Sequence, residues 1–291
     1  MTLLLFIIFS SMDYSADEVF IEIKDNVRII HARGNLTFKK ENFETLADSA
    51  IIFESKSVDS LYIFKDIKIL SKNLNIFCNK AFYSPVKEYA ILENSVKIEN
   101  DTLLIESEKI FYSSKKDSAF TDKKVLIKNK LKNLKIEGIG MVYLTGKKYG
   151  KVDSLIQINI EEKENTIEIT GKNLIIFDKS FYVTKDVEIK SKDFFAECDT
   201  LVWKDDEILL FGQRPSIKTH DSFLEGNLIK ILLKDKKLSK IISERKSLLK
   251  SVIEKKDTLS LLSDYLEIFL DDSLRIEKVA AFKNVEGILK R

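Results

Sequence analysis

Apolar and polar positions recur along this chain with two superposed periods. The longer one aligns the segments from Val58 (VDSLYIFKDIKI), Lys87 (KEYAILENSVKI) and Lys116 (KDSAFTDKKVLI) without a gap at an interval of 29 residues. Ile67, Val96 and Val125 coincide, as do Ile69, Ile98 and Ile127, and so do Tyr62, Ile91 and Phe120. A fixed period of this size predicts one supersecondary unit stacked on copies of itself. The shorter period is two, the signature of a strand with one buried face. Around Ser107, Leu103 and Ile105 alternate with polar neighbours before it, and Ile110 and Tyr112 alternate after it.

A second motif runs in phase: small–x–x–aliphatic–x–apolar. It begins at Ala47, Cys78, Ser107, Gly138, Gly171, Cys198, Gly226 and Ser263, at intervals of 27 to 37 residues. The second half also repeats the first at an offset of 120, pairing Tyr62 with Tyr182, Asp66 with Asp186 and Cys78 with Cys198. Between Ile105 and Ile110 the buried face changes parity. A strand can do this only through a bulge or sharp bend, and a small residue at the bend relieves crowding. Each repeat therefore predicts two long, kinked strands, joined by turns near 100 and 115 and antiparallel to each other.

Stacked hairpins of this kind predict an all-β fold: an elongated antiparallel β-jellyroll, or V-shaped two-sheet trough, of about eight hairpin repeats. At about 4.8 Å per strand it would run roughly 75–90 Å, with open end strands. Between Leu144 and Asn165 the phase loosens around Gly146-Lys147-Lys148-Tyr149-Gly150, which reads as an insertion, with a possible subdivision near 145–165. From Ser239 to Lys256 a helical pattern competes (Ile241, Leu248, Leu249, Val252). The register favours strand, since Val252 precedes Ser263 by 11 residues, as Val96 precedes Ser107.

Composition narrows the function. With 44% hydrophobic residues the chain can bury a continuous core despite 32% charge. A net charge of +2 makes no electrostatic case for nucleic acid. Nine Gly and two Pro leave the turns to Asn, Asp, Ser and Lys. Residues 1–16 read as a secretory leader with its apolar run at Leu3–Phe9, and 17–291 as the repeat array. No Cys follows the run, and no stretch is long enough to span a membrane.

Candidate chemistry is sparse. Cys78 and Cys198 occupy the small-residue slot four repeats apart, about 38 Å of stacking, whereas a disulfide needs Cα atoms within about 7 Å. His31 and His220 lack a metal-ligand spacing, and His220 falls on the turn position of Asn100. Asp205-Asp206-Glu207 and Asp271-Asp272 fall at predicted turns. No nucleophile elbow, phosphate loop or dinucleotide fingerprint occurs. The sequence predicts no catalytic residue, metal or cofactor.

Ala47-Asp48-Ser49-Ala50-Ile51-Ile52-Phe53, the recurring step in Asp25-Asn26-Val27-Arg28-Ile29 and Asn94-Ser95-Val96-Lys97-Ile98, and the closing Lys283-Asn284-Val285-Glu286-Gly287 resemble the OstA-like family. These are the LptA/LptC-type proteins of lipopolysaccharide transport. The resemblance covers about residues 19–289. It implies a non-enzymatic periplasmic bridge that shelters acyl chains of lipopolysaccharide or a related glycolipid and joins similar jellyroll domains end to end.

On this reading the trough is lined by residues three and five places after the small one: Ala81, Tyr83, Ile110, Tyr112, Met141, Tyr143, Leu174, Ile176, Leu201 and Trp203. The pairs Ile67/Ile69, Val96/Ile98, Val125/Ile127 and Val187/Ile189 join them. The same residues could instead fill a dry core. Lysines at the rim could meet lipid phosphates, though edge lysines also guard against aggregation. The alternative functions are a scaffolding β-solenoid that binds other envelope proteins through its ends and, more remotely, a carbohydrate-active β-helix using Asp205 or Asp206.

Overall fold

The computed structural model describes residues 13–290 apart from 41–42, 56–57, 73, 114, 132, 145–146, 148, 162–165, 178–179, 193, 235–236, 254–256 and 272–274. The apolar run at Leu3–Phe9, Asp272, Gly146 and Lys148 lie outside the described residues. The described residues form twenty-three strands and no helix, and the strands pair antiparallel. They divide into two compact units, Met1–Val152 and Asp153–Arg291.

Unit 1 is a meander of long strands. After β1 (Asp13–Ser15) and β2 (Glu18–Lys24) come β3 (Val27–Lys40), β4 (Phe43–Glu54), β5 (Val58–Ser71), β6 (Asn75–Ser84), β7 (Tyr89–Glu99), β8 (Leu103–Ser113), β9 (Ser118–Asn129) and β10 (Leu134–Leu144). Each strand from β3 to β10 pairs with its sequence neighbour. The predicted turns are present. At the first, Asn100 Oδ1 accepts hydrogen bonds from the Thr102 and Leu103 amides, an Asx turn that closes β7 onto β8. β11 (Tyr149–Glu161) spans the boundary between the units.

The expected kink exists, but its extra residue is on the other strand. Between Glu93 and Val96 the register of β7 slips, so that Asn94 and Ser95 face the single residue Glu108 of β8. Lys65-Asp66 on β5 does the same opposite Asn79. Both residues of each pair are left-handed, with φ of 65° and 61° at Asn94-Ser95 and 60° and 48° at Lys65-Asp66. Left-handed backbone is least costly for Asn, Asp and Gly, which explains the recurring polar pair ahead of the Val-x-Ile step.

The small residue lies across from the first apolar residue after this bulge: Cys78 pairs with Ile67, and Ser107 with both Val96 and Val125. It leaves room for that neighbour and does not itself turn the chain. Asp25-Asn26, which matches the same step in sequence, forms instead the two-residue hairpin turn between β2 and β3.

Unit 2 uses the same plan with interrupted strands. It contains β12 (Thr166–Gly171), β13 (Asn173–Phe177), β14 (Ser180–Lys190), β15 (Phe195–Lys204), β16 (Glu207–Phe211), β17 (Ser216–Lys218), β18 (Ser222–Glu225) and β19 (Leu228–Lys234). β20 (Lys237–Ile253), β21 (Asp257–Leu270), β22 (Ile276–Phe282) and β23 (Glu286–Lys290) complete it. Here an unbroken strand pairs with two short ones in line: β15 with β16 and β17, β20 with β19 and β18, β21 with β22 and β23.

The breaks have local causes. Gly212 has φ of 110°, a conformation closed to L side chains, and its missing side chain is where Asp199 packs. Pro215, which has no amide donor, follows shortly after. The region 239–256 is strand as far as Ile253, as expected. Its register differs from the expectation: Ser263 pairs with Ser247, while Val252 pairs with Thr258 and is half exposed. β20 runs on past its bulge at Arg245-Lys246, so Val252 falls beyond the place that Val96 holds in unit 1.

Within each unit, burial follows one face of every strand segment before and after the bulge, as in Ala90, Leu92, Val96 and Ile98 of β7. With no helix among the described residues to cover that face, the two segments of each strand can bury it only against each other. The bulges thus create two walls around one apolar interior, a jellyroll-like arrangement.

Candidate functional site

The interior of unit 1 is organised as ladders running across the strands. One alternates large and small: Leu61–Tyr83–Ala90–Tyr112–Ala119–Tyr143, each directly opposite the next. A second ladder crosses the other wall as Ile69–Ile76–Ile98–Ile105–Ile127–Ile136. Alternation lets aromatic rings interdigitate without voids. Tyr83 and Tyr112 are 4% and 3% exposed, and burial, helped by the nearby carboxylates of Glu88 and Asp117, pushes both phenols up to about 12. They remain neutral at any physiological pH.

Fourteen of the eighteen residues expected to line the trough are buried, and Ile127, Tyr143, Ile176 and Trp203 are half-buried. Leu174, Ile176, Val187, Ile189, Leu201 and Trp203 belong to unit 2, and the other twelve to unit 1. Unit 2 adds a ladder Leu174–Val183–Leu201–Leu210–Ile229–Ser243–Leu266. Cys78 and Cys198 are buried free thiols, pushed up to about 12 by desolvation, so neither is a nucleophile at neutral pH. Ser107, in the same slot, is satisfied by donating to the Lys124 carbonyl at 2.9 Å. Among the described residues no cluster of His, Cys, Asp and Glu could hold a metal. Asp205 and Asp206 form the exposed turn between β15 and β16.

Charge stays outside. On the outer face Glu93 receives Lys109 at 2.6 Å and Lys80 at 3.3 Å, and these ammonium groups, Lys109 foremost, hold its carboxyl below the usual range. Beside them runs an apolar ladder that the interior motif did not anticipate: Ile51–Tyr62–Phe82–Ile91–Phe111–Phe120–Val142. The coincidence of Tyr62, Ile91 and Phe120 in the repeat was its only trace.

Two further features stand apart from the expected lining. In unit 2 a cavity of about 940 Å³ opens between the turns at 191–194 and 219–221, the hairpin end of β20 and β21, and the start of β22. In unit 1, β2 pairs only with β3 among the described residues, and it is exposed on both faces, with Val19, Phe20, Ile21 and Ile23 between 47% and 78% accessible. β23 likewise pairs only with β21 and exposes Ile288 and Leu289. No helix of the described residues is long and apolar enough to cross a membrane.

Comparison with known proteins bears out the resemblance over part of the chain. Residues 13–120 match the family model for OstA-like protein. No curated protein matches. Among solved structures, one similar chain is LptH of Pseudomonas aeruginosa, described as the LptA-homologous periplasmic component of the conserved lipopolysaccharide transport device. It shares 15% identity over 36% of this chain and 76% of its own, with a TM-score of 0.32.

Proposed function

We propose, taking residues 13–120 as OstA-like, that this chain is a non-enzymatic periplasmic bridge for lipopolysaccharide transport to the outer membrane. The two-walled interior would shelter acyl chains of lipopolysaccharide or a related glycolipid, with the expected lining residues, Tyr112 and Tyr143 among them, as the contact surface. The observation that carries this reading is the ladder from Leu61 to Tyr143. It is an unbroken apolar strip crossing six strands, with no charged side chain in it. Such a strip can follow a hydrocarbon chain along the stacking direction. Joining to similar jellyroll domains would use β2, whose unpaired edge can accept a further strand while its apolar side chains are covered.

A scaffolding role is the second reading, favoured by the tight burial of the lining, which fits a closed core as well as a groove. Photocrosslinking amino acids at Tyr112 and Tyr143 in cells separate the two. Capture of lipopolysaccharide supports the bridge; capture of protein alone supports the scaffold.

A further inference from the structure

The cavity of unit 2 has features that the acyl-shelter reading does not use. Its floor is apolar: Leu249 is fully buried, Phe194 nearly so, and Leu259 and Val279 reach it from β21 and β22. Its lining carries four permanent cations, Lys190, Lys192, Lys218 and Arg275, against one carboxylate, Asp221. That carboxylate already faces His220 Nε2 at 3.7 Å, and Lys190 is held by Glu188 at 2.7 Å. Lys218 and Arg275 have no ion-pair partner among the described residues. Two uncommitted cations beside an apolar floor fit a ligand with one anionic end and one hydrocarbon end.

We propose that this cavity binds a small anionic amphiphile: one or two hydrocarbon chains against Leu259, Ile276 and Val279, and a phosphate or carboxylate head at Lys218 and Arg275. The guanidinium fork suits either oxyanion through paired hydrogen bonds. The volume of about 940 Å³ falls within the range for single small-ligand sites, about 300–1,000 Å³. The site is distinct from the lipopolysaccharide contact surface, because none of its lining residues is among those expected to line the trough and it is sized for a smaller ligand.

The test is calorimetric titration of the full chain with dodecyl phosphate below its micelle concentration, beside dodecyl maltoside and inorganic phosphate. Dodecyl phosphate should bind at one site. The double variant Lys218→Ala/Arg275→Ala should weaken it by about tenfold or more, since charge-assisted hydrogen bonds to the head are lost. Leu259→Trp should abolish binding by filling the floor, and if that variant does not fold, the smaller Val279→Phe makes the same test. Equal binding of dodecyl maltoside, inorganic phosphate as tight as dodecyl phosphate, or no loss in the double variant would overturn the proposal. Lipopolysaccharide capture from Tyr112 in the double variant reads out the bridge separately.

Discussion

Unit 1 and unit 2 apply one repeat with different results. In unit 1, β3 to β10 run unbroken through their bulges, and the interior is filled by interlocking ladders. In unit 2, Gly212, Pro215 and Gly226 interrupt alternate strands, four serines (Ser243, Ser247, Ser251 and Ser263) are buried on β20 and β21, and a cavity opens at one hairpin end. The slots filled by Ser, Cys or Ala, and that of Gly138 in β10, lie in continuous strands. Where glycine and proline break a strand, the two short pieces can shift apart. Packing density is thus set locally, repeat by repeat, on a shared scaffold.

The sharpest way to break this comparison is to remove equivalent volume from both interiors. Ile110→Ala, in the packed interior of unit 1, should cost about 3–5 kcal/mol in denaturant unfolding, because the walls cannot collapse around the void. Leu249→Ala, beside the existing cavity, should fall near the low end, about 2 kcal/mol, as neighbouring side chains have space to relax. Equal losses would mean that the cavity is closed in solution.

Next comes overfilling of the small slot. Ser107→Val places two methyls between Val96 and Val125 and leaves the Lys124 carbonyl without its hydroxyl donor, so about 1–3 kcal/mol should be lost. A milder probe is thiol reactivity. Cys78 and Cys198, both pushed up to about 12, should resist iodoacetamide equally at neutral pH and react only on unfolding. Faster labelling of Cys198, followed by mass spectrometry, would show that unit 2 opens more readily.

The smallest expected effect is acid sensitivity. Glu93 and Glu137 in unit 1 and Glu267 in unit 2 are held below the usual carboxylate range by neighbouring lysines. Their stabilisation is present above the unfolded value, about 4.3, and is lost as pH falls through the depressed folded values. Glu93→Gln should therefore flatten part of the acid decline of the melting temperature, by a margin that salt reduces further.

Much of the fold was legible from residue order alone. The alternation through Ile105 to Tyr112, the interval between Val58, Lys87 and Lys116, and the turns at Asn100 and Asp205 are local properties of the backbone. Each needs only its own neighbours to declare itself. The strand at Ser239–Ile253 was expected from a register that the structure does not keep, since Ser263 pairs with Ser247 and not with Val252. A hairpin can slide in steps of two without exposing its buried face, so the pairing waits on how far β20 extends past its bulge.

The cavity cations were illegible for a related reason. Lys218 and Arg275 sit 57 residues apart, in segments unlike each other, and nothing local marks them as neighbours of one space. The primary structure by itself determined that this chain would be strands, bent at regular steps, with an apolar face turned inward. Tertiary packing decided which strand carries each bulge and where a cavity opens. Those outcomes depend on side chains far apart in the chain competing for the same volume, and periodicity within a single segment carries no information about that competition.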